Sequence, residues 1–85
     1  MLQLILQSIM IMKKITIYSA PHCPGCVLVK KYLDKNNIVY EELDVYEDDN
    51  MNRLQNIIGC LTVPVTDIDG EFVIGYDEGK LKALL

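Results

Sequence analysis

Cys23 and Cys26 stand three positions apart in the stretch SAPHCPGCVLVKKYL, residues 19 to 33, with Pro24 and Gly25 between them. Two thiols at that spacing can form half of a metal site, lock a loop as a static disulfide, or exchange electrons. A closed zinc site needs a full tetrahedral set of ligands. The rest of the chain supplies only Cys60 and His22, and His22 adjoins Cys23, where two side chains rarely reach one ion. Three cysteines are an odd number and too few for the framework of a small secreted domain, and no basic start with a small-residue cleavage site marks an export signal. A reducing, cytoplasmic setting is expected, which argues against a static disulfide and favours redox exchange over metal binding.

That chemistry requires a helix behind the pair. Pro24 suits the first helical position, where its missing N–H costs nothing, so Cys23 is expected at the N-cap. Unpaired backbone N–H groups and the positive end of the helix dipole there favour a thiolate, which makes Cys23 the expected nucleophile. Cys26, one turn on and deeper, is expected to stay protonated until it attacks, as the resolving cysteine. His22 could add a cation beside Cys23, or be a partly exposed loop imidazole.

The surrounding pattern supplies the scaffold. KKITIYS is β-branched and aromatic and reads as a first strand leading into the cysteine loop. Val29, Tyr32 and Leu33 continue an apolar helical face that stops at Asn36-Asn37. IVYEELDV reads as a second strand, parallel to the first, with Val39, Glu41, Leu43 and Val45 on one side. Asp49 or Asn50 is expected to cap a helix facing inward through Met51, Leu54, Ile57 and Ile58, ended by Gly59. Asp69-Gly70 between alternating segments is a two-residue type I′ hairpin turn. Asp77 is expected to cap the last helix, with Tyr76 and Leu81 arranged as a hydrophobic staple. The order β-α-β-α-β-β-α predicts an α/β fold, a four-stranded mixed sheet flanked by three helices, with the first strand in the middle and the cysteines at its carboxyl end.

The totals bound the rest. With 85 residues, 51% of them hydrophobic and 24% charged, the chain makes one globular domain, expected over residues 13–85. A net charge of −4, with acids gathered in YEELDVYEDDN and TDIDGEF, leaves no basic surface for nucleic acid. The acidic run from Glu41 to Asp49 reads as a solvated edge, or one that turns away acidic partners. Residues 1–12, MLQLILQSIMIM, are apolar but shorter than the roughly twenty residues that cross a bilayer. They read either as a short amphipathic helix with a packing role or as a start-site extension without function, and no membrane partner is expected. Cys60 is expected as a small packing residue.

ITIYSAPHCPGC, then LTVPV and IGYD, resembles the glutaredoxins and the glutaredoxin-like redoxins that donate electrons to ribonucleotide reductase, over about Lys13 to Leu85. The resemblance implies a thioredoxin-like fold, a small monomeric thiol-disulfide oxidoreductase without a bound cofactor, and a cis Pro64 facing the cysteines. Val63 would offer its backbone to a bound peptide such as glutathione. Gly75, Tyr76 and Asp77 match the place where the family binds the γ-glutamyl carboxylate of glutathione, and a plain helix cap explains them nearly as well. Two departures stand out. Gly25 replaces the usual aromatic residue between the cysteines, removing a wall of the groove, and Ala20 replaces a common lysine. Arg53, Lys13 or Lys14 could supply the missing cation, or be solvated surface charges. The resemblance leaves glutathione and thioredoxin reductase as rival electron donors, with a slight preference for glutathione, and disulfide-bearing proteins, ribonucleotide reductase among them, as substrates. Some family members instead carry an iron-sulfur cluster between two monomers; Gly25 leaves room for one and Pro24 opposes it.

Overall fold

The computed structural model describes residues 13–85, so the readings of residues 1–12 lie outside the described residues. The elements follow as β1 (Ile15–Ser19), α1 (Pro24–Lys35), β2 (Glu41–Asp44), α2 (Asn50–Ile58), β3 (Val65–Ile68), β4 (Glu71–Ile74) and α3 (Glu78–Leu84). The strands form one mixed sheet in the order β2-β1-β3-β4, with β1 parallel to β2 and antiparallel to β3, and β3 antiparallel to β4. This is the thioredoxin-like arrangement expected, with β1 in the interior.

β1 is buried along its whole length because helices cover both faces of the sheet. Alternation divides its side chains. Ile15 and Ile17 join Val29 and Leu33 of α1 and Leu81 of α3 in one cluster, while Tyr18 packs on the opposite face with Val45, Leu54 of α2, and Val65. Thus α1 and α3 lie on one face and α2 on the other.

The expected stops and turns are present. Asn37 takes the left-handed conformation at φ 56°, and the Ile38 and Asn37 N–H groups donate to the Leu33 and Asp34 carbonyls at 2.9 and 3.1 Å, a Schellman ending for α1. Gly59 ends α2 at φ 80°. Asp69 and Gly70 both have positive φ, as a type I′ turn requires. The turn is fastened to the chain before β1: the Lys14 N–H donates to Asp69 Oδ1 at 2.8 Å, and the Asp69 N–H donates to the Lys14 carbonyl at 3.1 Å.

Four expectations are corrected. The second strand starts only at Glu41, and Val39 is 83% exposed. Glu41 pairs with Thr16, so Val39 runs out beyond the start of β1. Ile57 is exposed because Met51, Leu54 and Ile58 form the inward stripe, and a position six residues after Met51 points off it. Asp49 precedes α2 without capping it, since its carboxylate accepts from the Asn52 amide instead of from a backbone N–H. Asn50 anchors that end of the helix, donating to the Asp44 carbonyl at 2.8 Å. Finally, Cys60 is exposed, not packed.

Candidate functional site

The chain leaves the buried end of β1 at Ser19, turns at His22 with φ 59°, and enters α1 at Pro24. Cys23 sits between them in extended conformation as the N-cap, with Pro24 in the first turn. Its Sγ accepts the Cys26 backbone N–H at 3.1 Å, and the Val27 N–H closes the first helical turn on the Cys23 carbonyl at 3.2 Å. The sulfur therefore occupies the place of a capping oxygen, facing N–H groups that stabilise negative charge. Cys23 and Cys26 are joined as a disulfide across a Cα–Cα distance of 5.2 Å. Cys23 is half-buried whereas Cys26 is 1% exposed. One sulfur can thus be attacked from solvent while the other is reached only through it.

The second wall is the loop before β3. The Val63–Pro64 bond is cis, as expected, and Pro64 is buried. A Cβ added to Gly25 would stand 3.0 Å from Pro64 Cδ. The missing side chain at Gly25 therefore does not leave an open wall, because the proline ring comes up against the cysteine loop there. Gly75, at φ 76°, donates its N–H to the Pro64 carbonyl at 2.8 Å, so the segment Gly75-Tyr76-Asp77 is tied to the proline loop. Asp77 caps α3, accepting the Lys80 N–H at 3.0 Å. The Val63, Pro64 and Gly75 backbones are brought together; Tyr76 and Asp77 follow at the exposed rim.

A polar cluster that sequence reasoning missed lies beside the cysteine loop. Glu42 Oε2 accepts from Ser19 Oγ at 2.7 Å and from Lys30 Nζ at 2.9 Å. The bonds from Lys30 and then Ser19 hold the Glu42 carboxyl below its ordinary range, and the Glu42 contact raises the Lys30 ammonium above its own. Lys30 lies one helical turn beyond Cys26, a spacing visible in the sequence, but Glu42 belongs to a neighbouring strand whose register no local pattern reveals. Lys30 lines the pocket of His22, Cys23 and Cys26. Lys13 donates to the Leu84 carbonyl, and neither Arg53 nor Lys14 lines that pocket. His22 is exposed on the same pocket. Among the described residues no three His, Cys, Asp or Glu side chains converge to hold a metal ion, and no helix is long and apolar enough to cross a membrane.

Known proteins resemble this chain in sequence and fold. The profile of the Glutaredoxin family matches residues 15–73. The chain is 35% identical to an uncharacterized glutaredoxin-like 8.6 kDa protein of the rubredoxin operon in Clostridium pasteurianum, over 84% of this chain and 96% of that one. It is also 35% identical to glutaredoxin 1 of Rickettsia prowazekii, over 88% and 90% of the two chains. Among solved structures, the thioredoxin-like protein BC3987 superposes with a TM-score of 0.79 at 45% identity, covering 85% of this chain and 100% of that one. Sequence, fold and paired sulfurs agree, and the chain belongs to the glutaredoxin family of thiol-disulfide oxidoreductases.

Proposed function

We propose that the protein reduces disulfides by a dithiol cycle in which Cys23 is the nucleophile and Cys26 the resolving cysteine. The observation that carries this reading is the Cys23 sulfur at the N-cap of α1, accepting the Cys26 N–H, with the second sulfur buried one turn behind it. The Cys23 thiolate attacks one sulfur of a substrate disulfide, that S–S bond breaks, and the departing thiolate takes a proton from solvent. Cys26 then loses its proton and attacks the Cys23 sulfur, releasing the second substrate thiol. The substrate gains two electrons and two protons, and the protein is left with the Cys23–Cys26 disulfide. The backbones of Val63 and Pro64, and the segment Gly75-Tyr76-Asp77, line the path of the substrate; His22, Pro24 and Gly25 shape the loop that presents the sulfur.

Two glutathione molecules, oxidised together to their disulfide, restore the pair in the reading favoured here, as the family membership supports. A second reading, regeneration by thioredoxin reductase, is favoured by Ala20, which supplies no cation for a glutathione carboxylate, and by the commitment of Lys30 to Glu42. Protein disulfides are the physiological substrates in both, ribonucleotide reductase among them, and the cycle runs on a monomer in the cytoplasm. NADPH consumption with a small disulfide substrate separates the donors. Turnover with glutathione and glutathione reductase is expected; turnover only with thioredoxin reductase assigns the second reading, and turnover in neither couple overturns the cycle.

A further inference from the structure

We infer that the apolar groove beside Val63 docks an extended segment of a protein substrate that carries an apolar side chain and a basic side chain next to its disulfide; this rests on the dithiol reading above. Three depressions meet at Ala20. The first, about 220 Å³, is walled by Val45, Tyr46, Met51, Leu54, Leu61 and Val63. The second, about 370 Å³, contains Lys30, Glu42, Asp44 and Glu47. The third holds Cys23 and Cys26. Ala20 lines all three, so they lie side by side around its small methyl group.

The chemistry of the three floors describes one occupant. Lys30 and Glu42 are bound to each other at 2.9 Å, so their charges cancel and the second depression keeps the charge of Asp44 and Glu47. Asp48 and Asp49 follow in the same exposed loop. A lysine or arginine side chain finds opposite charge there. An acidic side chain at the same place finds like charge. The first depression offers no charged partner, and its rim exposes Tyr46 at 70% and Leu61 at 52%, apolar surface that an incoming aliphatic side chain would cover. Val63 borders that groove, so its main chain can pair with a strand-like segment laid across it. A segment seated in this way delivers its disulfide to the third depression.

The test uses protein reduced beforehand, so no electron donor takes part. Two synthetic peptide disulfides, identical except that lysine-leucine or glutamate-leucine flanks the cysteine, are mixed with it in turn, and bis(2-hydroxyethyl) disulfide serves as the uncharged control. The rate of peptide-thiol release is followed at low and high salt. The basic peptide should react about 10-fold faster than the acidic one at low salt, and the ratio should fall towards one at high salt as the charges are screened. In Glu47→Lys the ratio at low salt should narrow. Replacing the leucine by glycine in the basic peptide should slow its reaction severalfold. Equal rates at low salt, a faster acidic peptide, or no effect of the leucine overturns the docking assignment while the uncharged control still reacts. Failure of the uncharged control as well overturns the dithiol cycle instead.

Discussion

The Cys23 sulfur sits where a serine or aspartate oxygen would cap an ordinary helix, and this sets its chemistry. The thiol pKa of Cys23 in the reduced protein should fall below the ordinary value of about 8.5, measured by alkylation rate against pH. Cys23→Ser should abolish disulfide exchange, and Cys26→Ser should accumulate a mixed disulfide visible by mass spectrometry; free release of product from that variant would remove Cys26 from the cycle. Gly25 presents a contest between two terms. Alanine would gain about 0.5–1 kcal/mol of backbone preference in a helix interior, and less in a first turn. Its Cβ would meet Pro64 Cδ at 3.0 Å, and overpacking of a fitted site costs ~1–3 kcal/mol. Crowding wins, so Gly25→Ala should lower stability by about 1 kcal/mol in denaturant unfolding and slow exchange as well. The cysteine spacing and Pro24 were legible in the chain because each reports a local requirement. The contact of Gly25 with Pro64 was not, since it joins residues that only the fold brings together.

At the scale of the elements, caps and stops were readable wherever one residue meets a backbone need by itself. Asn37, Gly59 and the Asp69-Gly70 turn occupy positive φ, and Asp77 caps α3. Asp49 looked like the same device and is not, because its carboxylate is turned to Asn52. The two aspartates therefore make a paired prediction. Asp77→Ala should cost about 1 kcal/mol of stability, as the loss of an N-cap does, whereas Asp49→Ala should change it by less than about 0.5 kcal/mol. Chemical denaturation of both variants checks the pair. The extent of β2 and the outward turn of Ile57 were hidden for another reason. Alternation and helical spacing describe a lone segment, and the neighbouring element decides how much of it is covered.

Across the whole molecule, the link among α1, β1 and β2 through Lys30, Ser19 and Glu42 is sensitive to pH. The folded Glu42 pKa lies below its unfolded value, so its stabilisation is complete above about pH 4.3 and is lost as pH falls through the folded value. The Lys30 pKa is raised, so its share is complete below about pH 10.4 and is lost as pH rises through the folded value. Both groups are partly exposed, and solvent limits the pair to ~1 kcal/mol. Glu42→Gln should therefore unfold a few degrees below wild type at pH 7 in thermal melts, and the difference should shrink as pH falls through the folded Glu42 value. The hairpin from β3 to β4 has a longer reach. Its turn lies at the end of the sheet away from the sulfurs, yet counting two residues there brings the Gly75 N–H opposite the Pro64 carbonyl. The turn thus acts as a ruler whose reading is taken at the proline loop beside the cysteines. One residue inserted between Asp69 and Gly70 should shift β4 against β3 and carry Gly75 off Pro64. Exchange activity should fall more than 10-fold even in protein that still shows a folded far-ultraviolet spectrum, an error of counting at one edge paid at the other.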